Sequence, residues 1–585
     1  YGQPIIGAEA FTAEPGVGRW QNHPGSLKAI GDLMYCAGIN RYIIHRYAHQ
    51  PWLDKLPGMT MGQWGTHFER TTTWWGQGAA WLGYLARCQS LLQQGRFAAD
   101  VCFFAGEASP NGAPHVPELK ALGYDYDSIN ADVLTRRITV RDGRLVLPNG
   151  TSYGVLVLPD TPFMTPTFAA RIRDLVEQGA VIIGPRPDRS PTLADMGKGD
   201  EQVKSIAAAV WGDCDGKTVK SHAFGKGRVH CGRTTQEVLA ELKVQPDCEF
   251  TASGGKPKMA WIHRVCDGAD VYFVSNQKPR VDEVVCSFRI TGKLPELWHA
   301  DTGTMEVAPI WSEENGRTLV TLRFEPTESV FVVFAKPAGT ADHLTKLSSR
   351  AAADAPPANP IIQIESAVYE AIDGAGKVDV TAKVADMVKT GETTIPATNS
   401  LFGDPIFNHV KRLVVKYTLN GKKELRSCDE NGAIELAEPG PVGAPASWRV
   451  AVGAGGDVGL VAFASGVGVY EFTTAMAKKG TVEIKNVPAP LDITGPWEVY
   501  FPPNLGAPEM IILDKLAWLT EHSDPGVKYF SGTATYLISF DVPSDLIREN
   551  RILELNLGQV REIAQVSING HDTPVILSLI HISEP

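Results

Sequence analysis

The sequence predicts a multidomain protein in which α/β units come first and all-β units follow. Three observations carry that expectation. The chain has 585 residues, several times the ~100–200 of one domain. Residues 1–240 alternate short apolar runs with longer segments of helical periodicity, whereas residues 245–576 carry period-two runs separated by Gly, Asn and Asp. The 57 glycines and 40 prolines fit the many turns of the second part.

Residues 1–109 read as the C-terminal part of a (β/α)8 barrel. Ile5–Ala8 is a short apolar strand and Ser26–Ala37 a helix, with Ser26 as its N-cap and Gly38 as its stop. Arg41–His45 is the next strand. Thr71–Gln94 is a helix whose Trp74, Trp81, Leu85, Cys88 and Leu92 share one face. Ala99–Phe104 is a third strand. Strands apolar throughout are buried on both faces, as in parallel sheets, and strand–helix alternation is the barrel pattern. On this reading the five earlier barrel strands lie upstream of residue 1, so the chain reads as truncated.

Residues 110–240 read as a separate α/β domain, with the strands Tyr153–Pro159 and Ala180–Gly184 flanking a helix at Pro166–Gln178. It has no GxGxxG or phosphate loop, so no nucleotide site is read there. Residues 245–337 read as an antiparallel β-sandwich, 338–360 as an Ala/Pro/Ser-rich linker, and 361–488 as a second β-sandwich with a hairpin turn at Asn420-Gly421. Residues 489–576 read as a third β unit. The tail 577–585, LSLIHISEP, follows the turn signal Asn569-Gly570 and reads as non-native.

Bulk properties exclude several classes. A net charge of −11 provides no basic face for nucleic acid. No run of ~18 apolar residues predicts a membrane helix, and no signal peptide is visible. The nine cysteines are odd in number and contain no CxxC, so neither a zinc site nor a disulfide framework is read. Cys36, Cys88 and Cys102 read as small buried hydrophobes.

In a (β/α)8 barrel the active site lies at the C-terminal ends of the strands. That rule selects Glu9 after the first strand, His45, Tyr47, His49 and Gln50 after the second, and Glu107 after the third. A carboxylate beside a buried strand is costly without a partner or a task. Arg19, Arg41 or Arg46 offer Glu9 a structural pairing, and a helix N-terminus offers Glu107 one, so both roles stay open. Two such carboxylates suit glycoside hydrolysis: one protonates the leaving oxygen, and the other activates water or attacks the sugar. His45, Tyr47 and His49 alternate in HRYAHQP and so share one side of an extended segment, either for sugar hydroxyls or for bonds within the loop. They lack a third ligand at zinc spacing. Trp64 and Trp74 are candidates for an aromatic wall against a sugar ring, and Trp81 for the core. Glu69 is a third carboxylate, placed to stabilise the start of the following helix.

Several blocks together resemble the α-L-rhamnosidases of glycoside hydrolase family 106. They are GAEAFT (7–12), WQNHPGSLKAIGDLMYCAGINRYIIHRYAHQP (20–51), PGMTMGQWGTHFERTTTWW (57–75), ADVCFFAGE (99–107), WIHR with DVYFVSNQ (261–277), PELWHADTG (295–303) and ITGPWEVYF (493–501). The resemblance implies cleavage of terminal α-L-rhamnosyl units from plant-type glycosides or pectic side chains, with inversion. It also implies two catalytic glutamates and a bound calcium. On it, Glu9 is the general acid and Glu107 the general base, with Glu69 as the substitute for Glu107. No calcium ligand set such as an EF-hand loop is legible. The C-terminal blocks KYFSGTATYLISFDV and NLGQVREIAQVSING are similar to galactose-binding-like jelly rolls, making 489–576 an incomplete one. A periplasmic or secreted place of work follows from that substrate class. The rival readings are a retaining β-galactosidase-like enzyme and a carbohydrate-binding protein without turnover.

Overall fold

The computed structural model describes residues 2–584 apart from 17, 53, 56, 195–196, 253–255, 352–360, 390–391, 408, 420, 431, 437–447, 453–459, 465–466, 549–552, 558–562, 574 and 576–581. The chain begins with a strand–helix–strand unit: β1 (Gly7–Ala10), α1 (Pro24–Cys36) and β2 (Arg41–Ile44). The strands are parallel, with Gly7 opposite Arg41 and Ala10 opposite Ile44. α1 starts earlier than Ser26, because Pro24 suits the first turn and Ser26 serves from the third position, its Oγ accepting the His23 N–H at 3.1 Å. α2 (Gly78–Leu92) starts later than Thr71, after a 3-10 turn at Trp75–Gln77. Its Trp81, Leu85, Cys88 and Leu92 are buried together, as the spacing predicts.

The strand expected third in the barrel belongs elsewhere. β3 (Arg96–Phe97) pairs with Met259–Cys266 in a later sheet, and β4 (Val101–Phe104) pairs in parallel with Tyr126–Ile129 and Val155–Val157. The α/β sheet therefore runs Ser221–Phe224, Gly227–His230, Val181–Ile183, Val155–Val157, β4, Tyr126–Ile129, parallel except for its first pair. A run such as VCFF announces burial on both faces, and either sheet supplies that. The boundary drawn at residue 109 thus moves back to about Ala98. Among the described residues, the parallel sheet of the first unit holds two named strands, and no closed barrel is present. Within the α/β unit the helix Pro166–Gln178 forms as expected: Thr165 caps it, and Gly179, at φ 123°, ends it.

Residues 248–337 form the expected antiparallel sandwich. One sheet runs Cys248–Thr251, Asp282–Phe288, Arg317–Phe324, Trp311–Glu314. The other runs Met305–Val307, Lys293–Trp298, Ser329–Pro337, Ala269–Asn276, Met259–Cys266, β3. Trp261, Tyr272 and Val332 face the sandwich interior. Their neighbours Ile262, Phe273, Phe331 and Val333 face the other way and pack on α1 and α2. Lys28 pins α1 to this sheet: its Nζ lies 2.7 Å from Asp32 and 2.9 Å from both Ser329 Oγ and the Thr327 carbonyl.

The expected linker is partly a strand. Leu344–Ala351 pairs with Gly468–Thr474, because Leu344 and Leu347 have Ile310, Tyr470 and Phe472 to cover them. Residues 352–360 lie outside the described residues. The next unit is not a pure sandwich. Its sheet (Lys377–Asp379, Ile362–Ala371, Lys411–Leu419, Lys422–Asp429) carries a helix, Thr381–Lys389, whose Val384, Met387 and Val388 join the core. The hairpin turns where expected, since Leu419 faces Lys422. Residue 420 itself lies outside the described set. In the last unit the described residues form a three-stranded sheet (Met510–Leu513, Trp497–Tyr500, Thr535–Leu537) and two short pairs, which is less than a jelly roll. Asn569 and Gly570, at φ 53° and 82°, make the turn between Ser567–Ile568 and His571–Asp572. Within the tail expected to be non-native, Ile582–Glu584 pairs with Leu553–Leu555; residues 577–581 and 585 lie outside the described set.

Candidate active site

The parallel ladder of β1 and β2 continues past its named strands. The His45 N–H donates to the Ala10 carbonyl at 3.0 Å. Arg46 N–H then donates to Thr66 O at 2.8 Å and Phe68 N–H to Arg46 O at 3.1 Å, the slanted pattern of a parallel rung. Residues 65–68 are therefore the third parallel rung, the place expected for Ala99–Phe104. Gly65 lets the chain in at φ 76°; a Cβ there would stand 2.6 Å from His45 Nδ1. Phe11 and Phe68 meet at 6.1 Å on the core side, next to Trp81 and Trp74. The outer ends of the three rungs carry Glu9, the pair His45–Arg46, and Glu69.

Glu69 is buried and held on both oxygens. Gln50 Nε2 donates to one at 2.7 Å and Thr71 Oγ1 to the other at 2.9 Å. Gln50 is itself fixed, bonding the Met59 carbonyl at 2.7 Å and the Met59 N–H at 2.9 Å. Glu9 is exposed and accepts the Thr12 hydroxyl. Beside Glu69 lies His67, also buried, stacked on Trp20 with centroids 4.4 Å apart. Burial lowers the His67 pKa, and the Arg46 guanidinium lowers it further against the pull of Glu69, so the ring is neutral at pH 7. Four neighbouring side chains hold polar atoms shut off from solvent without a hydrogen-bond partner among the described residues. These are His45 Nδ1, Arg46 Nε and Nη2, Thr66 Oγ1 and both ring nitrogens of His67. Buried polar groups are ordinarily paired, so such a concentration marks a place that completes its bonds with something else. Phe11, Arg19 and Trp20, at φ 61°, 58° and 59°, hold left-handed backbone around it; such strain collects at functional sites.

The residues singled out from sequence divide. Glu9, His45 and Glu69 come together at the rung ends. Tyr47, His49 and Trp64 are exposed on the segments that follow. Trp74 is not a pocket wall: it is 7% exposed, bonds Asn22 O through its indole N–H at 3.2 Å, and meets Phe68 edge-on in the core. Glu107 stands beyond β4 in the α/β sheet, away from these rungs. Its oxygens accept the Thr165 N–H at 2.9 Å and the Thr165 hydroxyl at 2.6 Å, bracing the cap of the helix Pro166–Gln178. Arg46, Thr66, His67 and Trp20 were not singled out. The only signal for them was adjacency, His67 and Thr66 preceding Glu69 and Arg46 lying inside HRYAH. The described residues bring no three His, Cys, Asp or Glu side chains together to hold a metal, so the calcium implied by resemblance finds no fitting set here and no step is routed through it.

Known proteins share this arrangement of sequence and fold. A family model described as alpha-L-rhamnosidase, Glyco_hydro_106, matches residues 1–310, more than half of the 585. A protein of Formosa agariphila named "Putative beta-glucuronidase" is 31% identical over 655 aligned positions, covering 97% of this chain and 54% of that protein. A solved rhamnosidase of Novosphingobium sp. PP1Y is 26% identical with a TM-score of 0.66, covering 99% of this chain and 42% of that one. The chain thus spans about half the length of the curated relative it matches.

Proposed function

The chain belongs to the glycoside hydrolase 106 family, the α-L-rhamnosidases, and from that premise we propose that it takes part in hydrolysing terminal α-L-rhamnosyl residues, with Glu9 as general acid and Glu69 as general base. The observation that carries the pairing is the third parallel rung, which ends on Glu69 two rungs from Glu9. Glu107, with both oxygens engaged at a helix cap, serves stability instead.

The chemistry follows from the two carboxylates. Glu9, exposed, donates a proton to the glycosidic oxygen as the bond to the anomeric carbon breaks. Glu69, held by Gln50 and Thr71 with a lone pair left on each oxygen, takes a proton from the water that attacks the opposite face. The product leaves with inverted configuration, which asks for carboxyls about 6.5–9.5 Å apart. Tyr47 and Trp64, exposed at the rim, supply apolar faces to the sugar. Glycosides of plant cell walls are met outside the cell, which supports a periplasmic or secreted place of work.

The test is release of p-nitrophenol from p-nitrophenyl α-L-rhamnoside, with NMR to identify the first anomer formed. Turnover with inversion, lost in Glu9→Gln and Glu69→Gln and kept in Glu107→Gln, supports the reading. A retained anomer overturns the inverting mechanism in favour of a β-galactosidase-like route. Absence of turnover by folded protein leaves carbohydrate binding alone. The name of the Formosa relative favours a second reading, hydrolysis of a β-glucuronide, and p-nitrophenyl β-D-glucuronide is the substrate that decides it.

A further inference from the structure

Arg46 presents a specific unmet demand. The two guanidinium atoms without a partner are Nε and Nη2, the pair along one edge of the fork. That edge matches the two oxygens of a carboxylate in parallel hydrogen bonds. Against it lie Thr66 Oγ1, bringing a hydroxyl, and a neutral His67, bringing one N–H donor and one acceptor. No acidic side chain among the described residues pairs with this guanidinium, although Glu69 lies close enough to His67 to influence it. A guanidinium cut off from both water and a counter-ion is expensive, and a bound anion removes that expense.

We propose that Arg46, with Thr66 and His67, binds the carboxylate of an acidic sugar on the leaving side of the bond, so that the preferred substrate is a rhamnosyl uronate. The inference rests on the rhamnosidase reading: an α-L-rhamnosyl unit carries no acid group, so an anion held beside Glu9 and Glu69 sits on the sugar it is attached to. Arg46 comes directly after the rung end at His45, and His67 lies two residues before Glu69, which puts the anion site next to the scissile bond. Over His67 the cover is Trp20, stacked at 4.4 Å yet itself 43% exposed, so the indole is the side chain that moves when ligand enters.

The experiment compares kcat/KM for an α-L-rhamnosyl-glucuronic acid disaccharide with that for its carboxyl-reduced counterpart, alongside calorimetric titration with free D-glucuronate and D-glucose. A bidentate charged contact is worth roughly 10–100-fold in selectivity. The expected result is that preference for the acidic disaccharide, with Arg46→Gln lowering its kcat/KM by that factor and the neutral one by less than about twofold. Arg46→Lys keeps the charge without the fork and falls between, which guards against a variant that fails to fold. Equal rates on both disaccharides, or equal losses in Arg46→Gln, overturn the proposal. So does turnover of the β-glucuronide, which puts the acid sugar on the other side of the bond. If neither disaccharide is cleaved yet glucuronate binds and Arg46→Gln abolishes that binding, the rhamnosidase reading fails and the anion site stands. If glucuronate does not bind and rhamnoside is cleaved without preference, the reverse holds.

Discussion

Raising the pH from 6 to 10 should remove about 3 kcal/mol of stability from the sandwich through one imidazole. His263 is buried on the strand Met259–Cys266, with Nδ1 2.8 Å from Asp247 and Nε2 3.2 Å from Asp270. Asp247 also accepts the Tyr272 hydroxyl at 2.7 Å and lies 3.8 Å from Arg289, which bonds Asp100 at 3.0 Å. Burial by itself pushes the imidazolium down, but the Asp247 carboxylate and the bonds to Asp247 and Asp270 outweigh it and bring the pKa from 6.5 to about 9. A folded pKa above the unfolded one means the contribution is complete below pH 6.5 and is lost as pH rises through 9. At ~1.4 kcal/mol per pH unit, that interval amounts to roughly 3 kcal/mol. Asp247 and Asp270 are held below the usual carboxylate range despite burial, so the same contacts weaken from the other side below about pH 4. The assay is urea unfolding followed by tryptophan fluorescence at pH 6, 7.5, 9 and 10, for wild type and His263→Gln. Wild type should fall across the series, and the variant should be weaker at pH 6 and nearly flat. A wild-type midpoint that holds or rises toward pH 10, or a variant that falls in parallel, refutes the argument.

Other outcomes follow from the same contacts. Glu69→Gln should lower turnover by roughly 10²–10⁴-fold with little change in melting temperature. Glu107→Gln should leave turnover near wild type and cost about 1–3 kcal/mol, read by denaturant unfolding, because Thr165 loses a charged acceptor. Trp74→Ala should cost about 3–5 kcal/mol of stability as a core deletion, whereas Trp64→Ala should leave stability unchanged and raise KM for rhamnosides. Lys28→Met alone should destabilise by about 3–5 kcal/mol, because it leaves Asp32 buried without its cation; Lys28→Met with Asp32→Leu should be milder in the same melting experiment.

Local pattern was enough for some of the molecule. The 3–4 spacing in α2 announced its buried face, Gly179 announced a helix end, and two Asn-Gly pairs announced hairpin turns. What a segment pairs with was a different matter. VCFF has the composition of an inner parallel strand in any sheet, so its assignment to the barrel was a guess about partners that lie far along the chain. The displacement of Glu107 followed from that one error. Residues 65–68, the rung that replaced it, contain a glycine, a threonine and a histidine and show no strand pattern. They are extended because Arg46 and His45 bond them, not because their side chains favour it. Arg46 was read only as a possible partner for Glu9, since an unpaired buried guanidinium becomes visible only when its surroundings are known. Trp74 and Trp64 are alike in sequence and part ways through a single contact, the indole N–H to Asn22.

The route of the chain past Arg96–Phe97 has a consequence for modularity. The chain adds an edge strand to the sandwich, leaves to build the whole α/β unit, and returns at Cys248. Departure and return meet: the Ala98 N–H donates to His263 O at 3.1 Å, and the Arg289 N–H to Asp247 O at 2.9 Å. The α/β unit is thus an insertion into another domain, fastened at one point on that domain's rim. Loop closure changes only slowly with the length of what is inserted, at ~0.6 kcal/mol per doubling. The sandwich and the rungs braced on its outer face are therefore free to keep their form while this guest is lengthened, exchanged or removed, and variation among relatives has an outlet that leaves the rung ends undisturbed.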